Sequence, residues 1–168
     1  EVLEGLEREG ETLMFYCLLP SCSHETPLLA RFKGVPPPQE ERAMSRLRFQ
    51  LAPWTTYFVT SRCLMGYLLM RPDEHTNKII AGVAVHVKQR YGERIKIHNG
   101  VFLSNHYHLL ITPFDQRVLA DFMRDLNSCL AKELGLIHDM HGHLWHTKYK
   151  ASPVLDECEL ERRYRYIF

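Results

Sequence analysis

Residues 101–112, reading V-F-L-S-N-H-Y-H-L-L-I-T, restrict the possible folds of this chain more than any other stretch. A polar Ser104-Asn105 pair precedes a dense apolar run, which predicts a turn followed by a buried strand. In a strand, residues i and i+2 share a face. His106 and His108 therefore project together, while Tyr107, Leu109 and Ile111 point the other way, into a core. Two neutral imidazoles side by side on a rigid strand can hold one divalent metal ion. The chain has ten histidines and a second such triplet, His141-Gly142-His143. The first is distinguished by its apolar strand, the turn before it and the helix pattern after it.

Around this strand the pattern alternates between β and α. Residues 54–63 read as the first strand of the domain: Thr56, Phe58, Thr60 and Arg62 alternate with Tyr57, Val59, Ser61 and Cys63. Residues 65–70 are expected to extend it or pair with it. Asp73 or a neighbour is placed to cap a helix carrying Ile79, Ile80, Val83 and Val87, which Gly92 ends. Residues 94–98 alternate polar and apolar as a half-buried strand. Asn99-Gly100 then reads either as a hairpin turn or as a bulge in one longer strand. After the histidine strand, Pro113 and Asp115 open a second helix. Its apolar stripe runs from Val118 to Leu134, and Gly135 is expected to close it. That stripe is core packing.

A last helix starts at Asp156, with Glu159 three residues on and Leu155 able to staple onto Leu160. Counting 100° per residue, the helical step, Leu160, Tyr164, Ile167 and Phe168 gather on one side. Tyr166 falls opposite, near Glu159 and Arg162.

With 168 residues and 45% apolar content, the chain fits one domain with an extension. Residues 1–50 form the extension, with the proline-rich linker of residues 34–38 within it, and residues 51–168 form the domain. A net charge of +1 gives no global basic field, so a nucleic-acid partner must be held by a local patch. Trp145, Lys148, Tyr149 and Lys150 interleave rings with positive charge, a mixture that suits single-stranded nucleic acid; an edge strand with a wet outer face is the alternative. Arg62 and Arg162 join this set. Arg42, Arg46 and Arg48 form either a basic arm or a solvated face.

Five cysteines without a dense framework predict a reducing, cytoplasmic setting. No apolar run approaches the roughly 20 residues of a membrane span, and no signal peptide is visible. Cys17, Cys22 and His24 lack a fourth zinc ligand, and the four histidines between His138 and His146 sit on a flexible stretch with no completing cysteine or acid.

The segment L-S-N-H-Y-H-L-L-I resembles the His-hydrophobe-His strand of the HUH endonuclease superfamily. Within it, the similarity is closest to the single-tyrosine transposases, in particular the REP-associated tyrosine transposase-like group. The resemblance runs from about Tyr57 to the last residue. It takes in Y-F-V-T-S-R-C, G-H-L-W-H-T-K-Y-K-A-S-P-V and the final R-Y-I-F.

The resemblance implies an α+β fold, a ferredoxin-like antiparallel sheet with helices packed on one face. It implies a metal site at His106 and His108 for Mg or Mn, and a tyrosine nucleophile on the last helix, carried onto Tyr166 with Tyr164 second. The implied partners are DNA hairpins with adjacent single strands, engaged by a monomer or homodimer. The implied activity is nicking and joining through a 5′-phosphotyrosine; a hairpin-binding relative that does not cut is the alternative. In the family a Gln or Asn four residues after the tyrosine completes the metal site. Here that position is 170, past Phe168. The expectation is therefore a sequence cut short, a third ligand from water or another side chain, or a protein that does not cleave.

Overall fold

The computed structural model describes the backbone of Phe15–Tyr16 and residues 52–167. The Cys17, Cys22, His24 string, the proline linker, Arg42, Arg46, Arg48 and Phe168 lie outside the described residues. In chain order the elements are β1 (Phe15–Tyr16), β2 (Thr56–Arg62), α1 (Glu74–Tyr91), β3 (Ile95–Leu103), β4 (His106–Pro113), α2 (Gln116–Ile137), β5 (Lys150–Val154) and α3 (Glu157–Ile167).

The sheet runs β1-β3-β4-β2-β5, and every pairing is antiparallel except the short parallel β1–β3 contact. From β2 onward the order of elements is β-α-β-β-α-β, and β4 lies between β3 and β2. This is the α+β ferredoxin-like arrangement. No helix among the described residues is long and apolar enough to cross a membrane.

The period-2 rule divides the sheet into two faces. On one face Tyr57, Val59, Tyr107, Leu109, Ile111, Ile95, Ile97 and Phe102 are buried against α1 and α2. This is the main core, and α1 and α2 supply Ile80, Val83, Val87, Phe122, Met123, Leu126 and Leu130 to it. The other face carries a much smaller apolar cluster, Phe58, Leu110, Val154 and Ile167, under α3. Two helices thus cover the core face, and the third lies on the face of the histidines.

Asn99-Gly100 proves to be a bulge within one strand rather than a turn. Ile97 pairs with Ile111 but Asn99 pairs with Leu110, so His98 is an extra residue. The extra residue switches parity. Odd-numbered Ile95 and Ile97 face the core before it; Gly100 and Phe102 face the core after it. The Asn99 Oδ1 accepts a hydrogen bond from the Gly100 N–H at 2.7 Å and stabilises the step. At Gly100 a Cβ would lie 2.5 Å from the end of the buried Leu109 side chain, so any other residue would require Leu109 to shift.

Both long helices are capped as their sequences predict. Asp73 accepts from the Thr76 N–H and Asp115 from the Val118 N–H, at 2.9 and 2.7 Å. Gly92, with φ at +54°, ends α1. Two expectations change. α2 continues through Gly135 to Ile137, and its end is His138, whose N–H donates to the Leu134 carbonyl. Gly135 instead admits the returning chain, because a Cβ there would sit 3.0 Å from the Met140 carbonyl oxygen. Residues 65–70 do not pair with β2; Leu64–Gly66 form a single 3-10 turn, with Met65 and Gly66 both at positive φ.

Candidate metal and nucleic-acid site

Cross-strand register assembles the site. Thr60 lies opposite His108 and Arg62 opposite His106, and Thr60 also lies opposite Lys150. Directly paired residues share a face. One row across the sheet therefore reads Lys150, Thr60, His108, and the next reads Arg62, His106, Leu103. The alternating set Thr56, Phe58, Thr60, Arg62 in the sequence is this face.

The two imidazoles are not splayed apart. Their ring centroids are 5.0 Å apart with planes at 85°. His108 is only 6% exposed, and its Nε2 has no hydrogen-bond partner. Its Nδ1 lies 2.8 Å from Thr60 Oγ1. When the proton sits on Nδ1 and is donated to Thr60, Nε2 keeps its lone pair. His106 is tied in the same sense: its Nδ1 lies 2.6 Å from Asn105 Oδ1, which can only accept, so the His106 Nε2 lone pair is also left open.

The turn beneath is fixed. The Asn105 carbonyl accepts from the Cys63 N–H and the Ser104 carbonyl from the Met70 N–H, both at 2.8 Å.

Both rings are held neutral. Burial lowers the His108 pKa to about 4, reinforced by His106 and the Arg163 guanidinium. Burial, then the Arg62 charge, lowers that of His106. Neutral nitrogen donors are what a divalent ion requires. A buried, partnerless Nε2 beside a second open nitrogen fits a metal as two of its ligands. Among the described residues no group of three or more His, Cys, Asp or Glu is clustered for a metal.

Asp156 opens α3 by accepting from the Glu159 N–H at 2.7 Å. The inward side of α3 only partly matches the wheel count: Ile167 is inward as expected, Leu160 and Tyr164 are not. Ile167 is buried, and Arg163 lies with its guanidinium 4.7 Å from the Phe58 ring centre and 3.1 Å from Glu159. Tyr164 and Leu160 stay exposed. Glu159 is engaged by Arg163, one helical turn on. Tyr166 meets His108 edge-on with ring centres 5.3 Å apart, and Phe58 edge-on at 6.1 Å. Its ring is nevertheless 65% exposed and open to a ligand. The structure thus gathers His106, His108 and Tyr166 on one face.

The basic candidates divide. Arg62, Lys148 and Lys150 line one cleft of about 580 Å³ with Thr60, Met65, Gly66, His146 and Thr147. Among the described residues no carboxylate lines it, and through Thr60 it adjoins the His108 row. Arg162 is exposed on α3 and is not among the residues lining the cleft. Trp145 and Tyr149 pack against the main core. The Trp145 Nε1–H donates to the Asn127 carbonyl at 2.8 Å, and its ring meets Tyr107 edge-on. Both residues are half-buried rather than enclosed.

His138 Nε2 lies 2.8 Å from the Leu69 carbonyl, while His141 and His143 are exposed, so among the described residues the second histidine run gathers no ligand set. Thr60, Arg163 and Met65 belong to the site without having been singled out, and Asn105 was read only as part of a turn. For Thr60 the signal was its place in the alternation with Arg62; for Asn105 it was its position directly before His106.

No protein-family model and no curated protein matches the chain. Among solved structures it is similar to a REP-associated tyrosine transposase bound to a REP hairpin, with 16% identity, a TM-score of 0.57, and coverage of 74% of this chain and 70% of that one. It is also similar to a transposase candidate from Deinococcus radiodurans R1, with 14% identity, a TM-score of 0.49, and coverage of 76% and 95%. The chain therefore shares the fold of the REP-associated tyrosine transposase, the group that its His106-Tyr107-His108 strand resembles in sequence.

Proposed function

We propose that this protein is a transposase-like DNA strand transferase that nicks and rejoins single-stranded DNA next to a hairpin through Tyr166. The observation that carries this reading is the meeting of Tyr166 with His108 on the face where both imidazoles hold open nitrogens. The similar REP-associated transposase, bound to a REP hairpin, supports DNA as the partner.

His106 and His108 would hold the divalent ion, Mg or Mn. The chemistry it supplies is charge withdrawal from a non-bridging phosphate oxygen. Arg62, Lys148 and Lys150 bind the flanking phosphates and fix the strand. The Tyr166 Oη attacks phosphorus and the 3′-oxygen leaves. The phenol gives up its proton and the departing oxygen takes one up. The products are a 5′-phosphotyrosine and a free 3′-hydroxyl, and the retained ester energy allows rejoining without ATP. An ordinary phenol has a pKa of about 10 and is a weak nucleophile at neutral pH, so positioning on α3 is central.

A hairpin-binding relative that does not cut is the second reading. It is favoured by the lack of a third clustered ligand among the described residues. Incubation with hairpin DNA carrying a single-stranded flank, plus Mg or Mn, should give a covalent adduct on a denaturing gel. Tyr166→Phe should abolish it. An adduct that survives the substitution moves the nucleophile elsewhere, and binding without any adduct selects the second reading.

A further inference from the structure

We infer that residues 64–68 form a rigid apolar prong that engages unpaired bases of the strand lying in the basic cleft; this rests on reading that face as a DNA site. Met65 is 76% exposed, Tyr67 45% and Leu68 53%, three consecutive large apolar exposures apart from Gly66. Isolated exposed apolar residues are ordinary, but a cluster of them on a fixed loop marks a contact surface.

The loop is fixed. The Leu64 N–H donates to the Leu144 carbonyl at 2.8 Å, the Tyr67 N–H to the Leu64 carbonyl at 3.0 Å, and the Met70 N–H to the Ser104 carbonyl at 2.8 Å. The same Ser104-Asn105 turn positions His106, so the prong and the histidine pair are held by one frame.

Met65 also has φ at +51°, a left-handed conformation that L side chains other than Asn and Asp rarely adopt. Burial of its own side chain does not offset that strain, since the side chain stands in water. Strained, exposed residues of this kind concentrate where a ligand is met.

Charge chooses the occupant. Met65 and Gly66 line the cleft together with Arg62, His146, Lys148 and Lys150, and among the described residues no acid lines it. A polyanion with apolar faces matches both halves: phosphates meet the cations, and bases lie on Met65 and Tyr67. Duplex DNA hides its base faces in the stack, so the prong selects unpaired nucleotides. Trp145 and Tyr149, the rings that the sequence offered for this role, are half-buried against the core, whereas Met65 and Tyr67 stand exposed.

The test is binding by the full chain, without added metal, of an oligonucleotide carrying one 2-aminopurine, single-stranded and as a duplex. The wild type should bind the single strand and change its fluorescence. The combined substitution Met65→Ala, Tyr67→Ala, Leu68→Ala should weaken single-strand binding by about tenfold and abolish the fluorescence change. Duplex affinity should stay within about twofold. Should the triple variant fold poorly, Tyr67→Ala and Leu68→Ala alone, both at exposed positions, repeat the measurement with smaller expected losses.

Unchanged single-strand affinity, or equal losses on both DNAs, overturns the proposal. So does a wild-type dimer that the triple variant dissolves, which would assign the prong to a second copy of the chain. Base engagement without a covalent adduct in the presence of metal leaves the prong standing and removes the nicking reading.

Discussion

At the scale of single residues, Thr60 decides what His108 can do. A threonine hydroxyl can donate or accept, so its 2.8 Å contact permits either tautomer of the ring. The metal-competent form needs the proton on Nδ1, with Thr60 accepting. We predict that Thr60→Val removes this preference and weakens Mn binding by about 10–100-fold, while Thr60→Ser restores it. Calorimetry measures the affinity, and nitrogen NMR of the metal-free protein reads the tautomer directly. A His108 protonated at Nε2 in the wild type would contradict the assignment.

Imidazole nitrogens suit Mn better than the strictly oxygen-seeking Mg, so Mn should bind the tighter of the two. The same residue sets a pH response. His108 titrates near pH 4 when folded and near 6.5 when free. Between those values the unfolded chain binds the extra proton, so folding stability falls as pH drops from about 6.5 to about 4. The full effect is on the order of 3 kcal/mol. His106 titrates lower when folded as well and adds in the same direction. His108→Gln should flatten the slope of chemical-denaturation stability across that window; an unchanged slope would place its cause elsewhere.

Elements differ in how firmly they are held. α1 and α2 share a continuous core with the sheet, but α3 is anchored chiefly by Ile167, 5% exposed against Phe58, Leu110 and Val154. Truncation of a buried Ile to Ala costs about 2–5 kcal/mol where the site cannot collapse. We expect Ile167→Ala to loosen α3 locally. Amide exchange should quicken in α3 while β4 and α2 stay protected, and strand-transfer activity should fall with the Tyr166 placement. Loss of protection throughout the sheet would mean that α3 belongs to the global core.

This contrast explains what could be read beforehand. β4 and β2 were legible because two-residue alternation is a local rule and their core face is continuous. The bulge at His98 was one of two readings of Asn99-Gly100, because a parity switch shows only once the partner strand is known. The orientation of α3 was not legible. A short helix with a polar-rich surface has no dominant apolar stripe, and a wheel count that put Tyr164 inward was off by one residue: Arg163, stacked on Phe58 and paired with Glu159, occupies the inner position.

Across the whole molecule, the sheet separates two tasks. One face and two helices hold the fold; the other face, thinly covered, holds the imidazoles, the tyrosine and the cleft. The fate of aromatic residues in the loop after α2 follows from this division, since nothing in sequence says whether a loop ring turns inward, and Trp145 and Tyr149 did.

Charge follows the same division. The net charge is only +1, so acidic residues nearly cancel the basic ones over the chain, and on the proposed reading the cleft cations Arg62, Lys148 and Lys150 supply the local attraction for DNA. A polyanion bound by a global field would shed many counterions. One bound by Arg62, Lys148 and Lys150 sheds few. Single-stranded DNA loses affinity with a log–log salt slope of about −0.7 per phosphate neutralised, so three cations predict a slope of about −2. Lys148→Gln should make it shallower by about 0.7, whereas Arg162→Gln, at an exposed position outside the lining of the cleft, should leave it unchanged. A slope several times steeper, or one that responds equally to both substitutions, would mean that DNA contacts extend well beyond this face, because counterion release counts every phosphate the protein meets.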